Sequence, residues 1–176
     1  VNFGRRSPDP ALRWAVLLAL CPSLLAAQAG DSLPSWIRVG PEPAVVHLDL
    51  EAIRGDSGVS LNGQRRGDLQ IVVPKGWTVR WSWRNADSLE NHSLVVMTER
   101  EKLPNEAGQP AFTNARTRSP SAGLRLGQKD ETTFVAEDAG WYWLLCGVPG
   151  HALNGEWIGL RVDPAANSVA AIRKNR

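Results

Sequence analysis

The stretch GWYWLLCGVPGHALNGEW, residues 140–157, sets a lone Cys five residues ahead of a His in a turn-rich loop between two apolar runs. Gly147, Pro149 and Gly150 let that loop fold back and present His151 beside Cys146. A thiolate and an imidazole joined this way, with a second imidazole from elsewhere, make the trigonal donor set of blue-copper sites. His92, in NHSLVV, supplies the second imidazole. Cys146 ends one apolar strand and His92 begins another, so neighbouring strands can deliver both to one end of a sheet.

Working outward, the dominant period is two. In AVVHLDLEA, Val46, Leu48 and Leu50 alternate with His47, Asp49 and Glu51, which predicts a half-buried strand with His47 on its wet face rather than at a metal. In GWTVRWSWRN, Val79, Trp81 and Trp83 alternate with polar residues, and Pro74-Lys75-Gly76 joins this run to LQIVV, so the two read as a hairpin. Further strands are expected at 92–98, 131–136, 141–146 and 157–162. Short strands separated by Gly, Pro and Asn turns indicate an all-β Greek-key sandwich or barrel. Residues 99–129 carry Pro104, Gly108, Pro110, Pro120 and Gly123 without a period and read as a long loop or insertion, a solvated connection in preference to a functional lid. The segment 165–176 reads as a frayed tail or short terminal helix. The Trp residues at 77, 81, 83, 141 and 143 are read as packing.

Near the N-terminus, Arg5, Arg6 and Arg13 precede the apolar run 14–27, and Ala27-Gln28-Ala29 offers small residues before Gly30. These are the features of a cleaved export signal, residues 1–29, followed by one domain over 30–164. The run is too short for a membrane span, and Pro22 interrupts it. Cys21 within it is an alternative lipid-anchor position, against which the bulk of Leu20 argues. Once the signal is removed, Cys146 stands unpaired in an oxidising compartment, where a free thiol needs a reason. Removal of 1–29 also leaves 17 basic and 17 acidic residues, so no nucleic-acid footprint remains.

From Ser60 to Pro164 the chain resembles the cupredoxins, and within them the sulfocyanins. The residues that carry the likeness are SLNGQRRGDLQIVVPKGWTVRWSWRN, NHSLVV and AGWYWLLCGVPGHALNGEWIGLRV, with the loop CGVPGH as the specific part. The resemblance implies a two-sheet β-sandwich with one copper at one end, held equatorially by His92, Cys146 and His151. Where the family places an axial Met, five residues after the second His, this chain has Glu156. Glu156 is therefore either an axial oxygen donor or a solvent-facing residue at the start of the last strand, with a carbonyl such as that of Asn91 as substitute. Met97, the one Met, lies about 16 Å along the strand that His92 begins and on its opposite face, which makes it a poor axial candidate. Ser93, next to His92, is either a hydrogen-bonding partner of the site or an ordinary strand residue.

Ligand counts narrow the function. Three His cannot build a trinuclear copper centre, and one Cys after signal removal cannot build a two-thiolate binuclear site. No hydrolase constellation has motif support, so no enzyme is expected. The expected function is a monomeric copper protein that shuttles one electron, Cu(I)/Cu(II), between exported redox partners of cytochrome or oxidase type, through the edge of His151 among Val148, Pro149, Ala152 and Leu153. The alternatives are a copper carrier with a carboxylate-modified site, or a metal-free binding module.

Overall fold

A computed structural model describes residues 1, 4 and 32–174 of the chain. The export signal read at 1–29, with Cys21 and the boundary at Gly30, lies outside those residues but for Val1 and Gly4. Among the described residues the elements are all strands: β1 (Ile37–Val39), β2 (Val45–Gly55), β3 (Gly58–Leu61), β4 (Leu69–Pro74), β5 (Thr78–Asn85), β6 (Val95–Thr98), β7 (Lys129–Val135), β8 (Gly140–Leu145), β9 (Trp157–Asp163) and β10 (Ala170–Arg173). One sheet runs β1-β2-β5-β7, with β3 also on β2, and the other runs β10-β4-β9-β8-β6. Two pairings are parallel, β2 with β5 and β4 with β9, and the rest are antiparallel.

The alternation read in β2 and β5 is the packing pattern: Leu48, Leu50, Trp81 and Trp83 are buried between the sheets, whereas His47 is half-buried. They meet Ile71, Val73, Leu144 and Leu160 of the other sheet in one core. Each such side chain contributes about 1.5–3 kcal/mol by leaving water. Trp141 is the exception among the described tryptophans, with its exposed ring under the Arg161 guanidinium at 4.9 Å.

Three expectations are corrected. LQIVV and GWTVRWSWRN do not form a hairpin, because β4 and β5 belong to different sheets and the Pro74–Gly76 turn arches between them. Every residue of β4 is buried; a strand covered on both faces belongs at the centre of a sheet, here between β9 and β10, rather than in a two-stranded ribbon. As far as it is described, to Lys174, the segment read as a frayed tail or helix holds a strand, since Ala170–Arg173 pairs antiparallel with β4 and completes that sheet. Four residues, AAIR, are too few to show an alternation, so the strand is set by its pairing with β4.

The segment between β6 and β7 is the third correction. It has no regular strand, yet Phe112, Ala115, Thr117 and Leu124 are buried, and its backbone zips onto the chain around β6. Val96 N–H donates to Ala115 O at 2.9 Å, Thr117 N–H to Leu94 O at 2.8 Å, and Leu124 N–H to His92 O at 2.7 Å. A second apolar cluster, Val95, Trp143, Leu145 and Ala152, is capped by Leu103 and Ala107 of the same segment. The prolines and glycines break periodicity without making the segment a solvated connection.

β8 ends where β6 and β9 begin, with Leu145 opposite both Val95 and Trp157. The loops 86–94 and 146–156 therefore emerge at the same end of the sandwich.

Candidate metal centre

Those loops bring four side chains together. His92, Cys146, His151 and Glu156 are all buried, and one donor atom from each lies within 4.8 Å of the others. Cys146 Sγ is 3.6 Å from His151 Nδ1 and 3.9 Å from His92 Nδ1, and the two Nδ1 atoms are 3.1 Å apart. Glu156 Oε2 is 2.9 Å from His92 Nδ1 and 3.3 Å from His151 Nδ1. Glu156, only 4% exposed, is not a solvent-facing residue. Met97 is elsewhere, half-buried with its Sδ accepting the Gly108 N–H at 3.5 Å, and His47 lies on β2 outside the group.

Local backbone explains the convergence. Cys146 N–H donates to Glu156 O at 2.9 Å, closing the loop that carries three of the four side chains. The segment preceding β7 grips this loop from outside: Ala107 N–H reaches Gly147 O at 2.9 Å, and Gly150 N–H reaches Asn105 O at 2.7 Å. Gly147 is required by this contact, since a Cβ there would lie 2.6 Å from Ala107 Cβ and 2.9 Å from Pro120 O. At the base of Glu156, Trp157 packs on Gly67, whose φ of +69° and contact with the indole leave no room for a side chain.

Ser93 is part of the site. Its N–H points at Cys146 Sγ at 3.4 Å, and its Oγ donates to Pro120 O while accepting the Gly147 N–H at 2.9 Å. An N–H aimed at sulfur stabilises a thiolate. Behind His92, its other nitrogen, Nε2, is 2.8 Å from Asp87 Oδ2, a carboxylate also bound by Arg54. Asp87 is the residue that sequence reasoning missed. Its position in the polar loop 86–91 suits a solvated turn equally well, and its one signal was a carboxylate near a candidate His ligand.

The charges are matched without metal. The hydrogen bond with Cys146, followed by that with Glu156, pushes His151 up to about 10. Burial works against the charge on Glu156, but its bonds to His151 and His92 outweigh burial and hold the carboxyl at about 2. Burial likewise opposes a charge on His92, and the bonds to Glu156 and Asp87 overcome it, so its pKa is raised. A soft sulfur, two imidazole nitrogens and a carboxylate oxygen in a dry pocket fit copper by donor chemistry.

A metal must displace the proton that His151 keeps until its raised pKa. Metal-free protein should therefore release protons on taking up copper at neutral pH, and apparent affinity should climb with pH until it levels off at about 10. Titration calorimetry in buffers of different ionisation enthalpy measures both; an affinity flat below that pH would count against the arrangement.

Comparison with known proteins follows the same line. The family described as the Sulfocyanin (SoxE) domain matches residues 36–172. The sulfocyanin of Sulfolobus acidocaldarius is 31% identical over 119 residues, covering 64% of this chain and 58% of that protein, so the chain spans less than two thirds of the relative's length. Among solved structures, auracyanin A, a "blue" copper protein of the green thermophilic photosynthetic bacterium Chloroflexus aurantiacus, is similar with a TM-score of 0.50. That similarity has 18% identity and covers 68% of this chain and 99% of the other. Copper nitrite reductase from Nitrosomonas europaea also gives 0.50, at 21% identity, covering 69% of this chain and 42% of that one. At such identities these two structures speak to the fold, which is the expected cupredoxin-like sandwich.

Proposed function

Since this chain belongs to the sulfocyanin family, we propose that it binds one copper ion through His92, Cys146 and His151, with Glu156 as the fourth donor, and carries single electrons between exported redox partners. The observation that carries this is the buried convergence of the four donor atoms at one end of the sandwich. Copper, when bound, supplies the Cu(I)/Cu(II) couple. The protein's part is to hold one geometry for both charges, to keep water out, and to offer a short way to the surface.

Each task has its residues. The bonds from Asn105 and Ala107 hold the ligand loop, and Ser93 N–H steadies the sulfur. His92 and Cys146 are fully buried, whereas His151 keeps 9% of its surface and is the donor nearest solvent. Leu153, two residues on, is 55% exposed, and Ala152 turns inward against Trp143. A partner docking on Leu153 and Pro149 would thus meet the edge of His151. Four protein donors leave no open position for a substrate, which supports a carrier rather than an enzyme. Export rests on the signal-like segment at 1–29.

The buried Glu156 favours a second reading, a copper carrier that does not cycle electrons. One experiment separates the two. Protein recovered from the extracytoplasmic fraction, its mass showing a start near Gly30, is loaded with copper and followed by optical potentiometry. An intense thiolate-to-copper band that bleaches and returns reversibly supports the shuttle. Copper bound with no reversible couple supports the carrier, and no copper bound defeats both.

A further inference from the structure

His92 is held from both sides. While Nδ1 faces the donor group, Nε2 meets Asp87 Oδ2 at 2.8 Å, with both side chains fully buried. The Asp87 carboxylate is fully bonded: Oδ1 accepts Arg54 Nε–H at 2.9 Å and Leu89 N–H at 3.1 Å, and Oδ2 also accepts Arg54 Nη2–H at 2.7 Å. Its backbone is pinned too, Asp87 N–H donating to Asn85 Oδ1 at 2.8 Å while Asn85 Nδ2 ties Glu90 O and Leu124 O. Arg54, at the end of β2, reaches from solvent and also pairs with the exposed Glu90. Asp87, Glu90 and His92 together have metal-like spacing, but the guanidinium already takes the cation's place.

We propose that Asp87 is a positioning residue for His92. By accepting the Nε2–H it turns Nδ1 toward Glu156, Cys146 and His151 as the nitrogen that would give up its proton to a metal, and its negative charge, paired with Arg54, makes the imidazole a stronger donor that favours Cu(II). A burial this complete would be costly for a carboxylate unless each lone pair were used, and here they are. The proposal rests on the copper reading above for its second half, while the orientation of the ring stands on the hydrogen bond alone.

The test uses three variants of the full chain. Asp87→Ala removes the acceptor, Asp87→Asn keeps an acceptor oxygen without the charge, and Glu90→Gln removes a carboxylate from the same Arg54 without touching His92. Proton–nitrogen NMR of the metal-free and Cu(I) forms should show a slowly exchanging His92 Nε2–H in the parent, lost in Asp87→Ala and restored in Asp87→Asn. Cu(II) affinity should fall about 10- to 100-fold in Asp87→Ala. In Asp87→Asn the potential should rise, each tenfold change in the Cu(II)/Cu(I) affinity ratio being about 59 mV for one electron. Glu90→Gln should match the parent in all three readings. If Asp87→Ala does not fold, the contrast in potential between Asp87→Asn and Glu90→Gln still decides. An Asp87→Asn potential equal to the parent's, or equal to that of Glu90→Gln, overturns the charge effect. A parent with no protected His92 Nε2–H overturns the positioning. A parent that shows the protected proton but binds no copper brings down the copper reading instead.

Discussion

Cys146→Ser should strip the copper-loaded protein of its intense visible band while leaving the sandwich folded. The band needs a soft, polarisable sulfur bound to the metal, and a serine oxygen is neither soft nor deprotonated at neutral pH. Cys146 is the one free cysteine among the described residues, so nothing else there can replace it. Folding survives because the core of Leu48, Trp83, Leu144 and their neighbours does not include Cys146. The Ser93 N–H that faced sulfur also finds an oxygen in its place. A cost of about 1–3 kcal/mol for a buried hydroxyl is the upper expectation, read as the melting temperature of the metal-free form. His92→Ala and His151→Ala should weaken binding or open the site to added imidazole. Three variants that bind and colour like the parent would remove the site from this end of the protein.

The second large effect belongs to Glu156. Its carboxylate lies between two imidazoles and out of water. As a hard oxygen donor it should favour Cu(II), lower the potential and shift the spectrum from the ordinary blue form. Glu156→Met should raise the potential and turn the spectrum bluer, and Glu156→Gln should raise it through loss of charge alone. A unit charge at about 4 Å is worth ~1–4 kcal/mol for effective dielectrics between those of water and a protein surface, which is the scale of the change expected in redox preference. Spectra and potentials unchanged in Glu156→Gln would take Glu156 out of the donor set and leave the other three residues untouched.

The residues that converge at this end were legible because metal chemistry constrains residue type and spacing together. Cys146 and His151 share one short loop, and His92 lies at the start of a strand signal. Strand identity was legible from period two, as in Val46, Leu48 and Leu50. Strand partnership was not: a three-residue turn such as Pro74–Gly76 joins neighbours in one sheet or arches between two, and only the burial of β4 on both faces distinguishes these. Alternation was absent from the segment 99–128, because it buries single residues such as Phe112 and Leu124 from an irregular backbone. Asp87 was hidden for a different reason. Its partners Arg54 and His92 stand 33 residues before it and five after it, and only the assembled end of the sandwich makes them one group.

Cys146, His151 and Glu156 sit within a single run of eleven residues, tied at its ends by the Cys146–Glu156 backbone bond and clipped to Asn105 and Ala107. Release of those clips, with Ala152 lifted from Trp143 and Leu145, would carry three donors away together and leave His92 behind on the scaffold. Such an excursion is far smaller than unfolding the two sheets. If copper binds there, its loss would follow this local opening, and substitutions at the Asn105 and Ala107 clips should change the lifetime of the loaded protein without touching the four converging side chains.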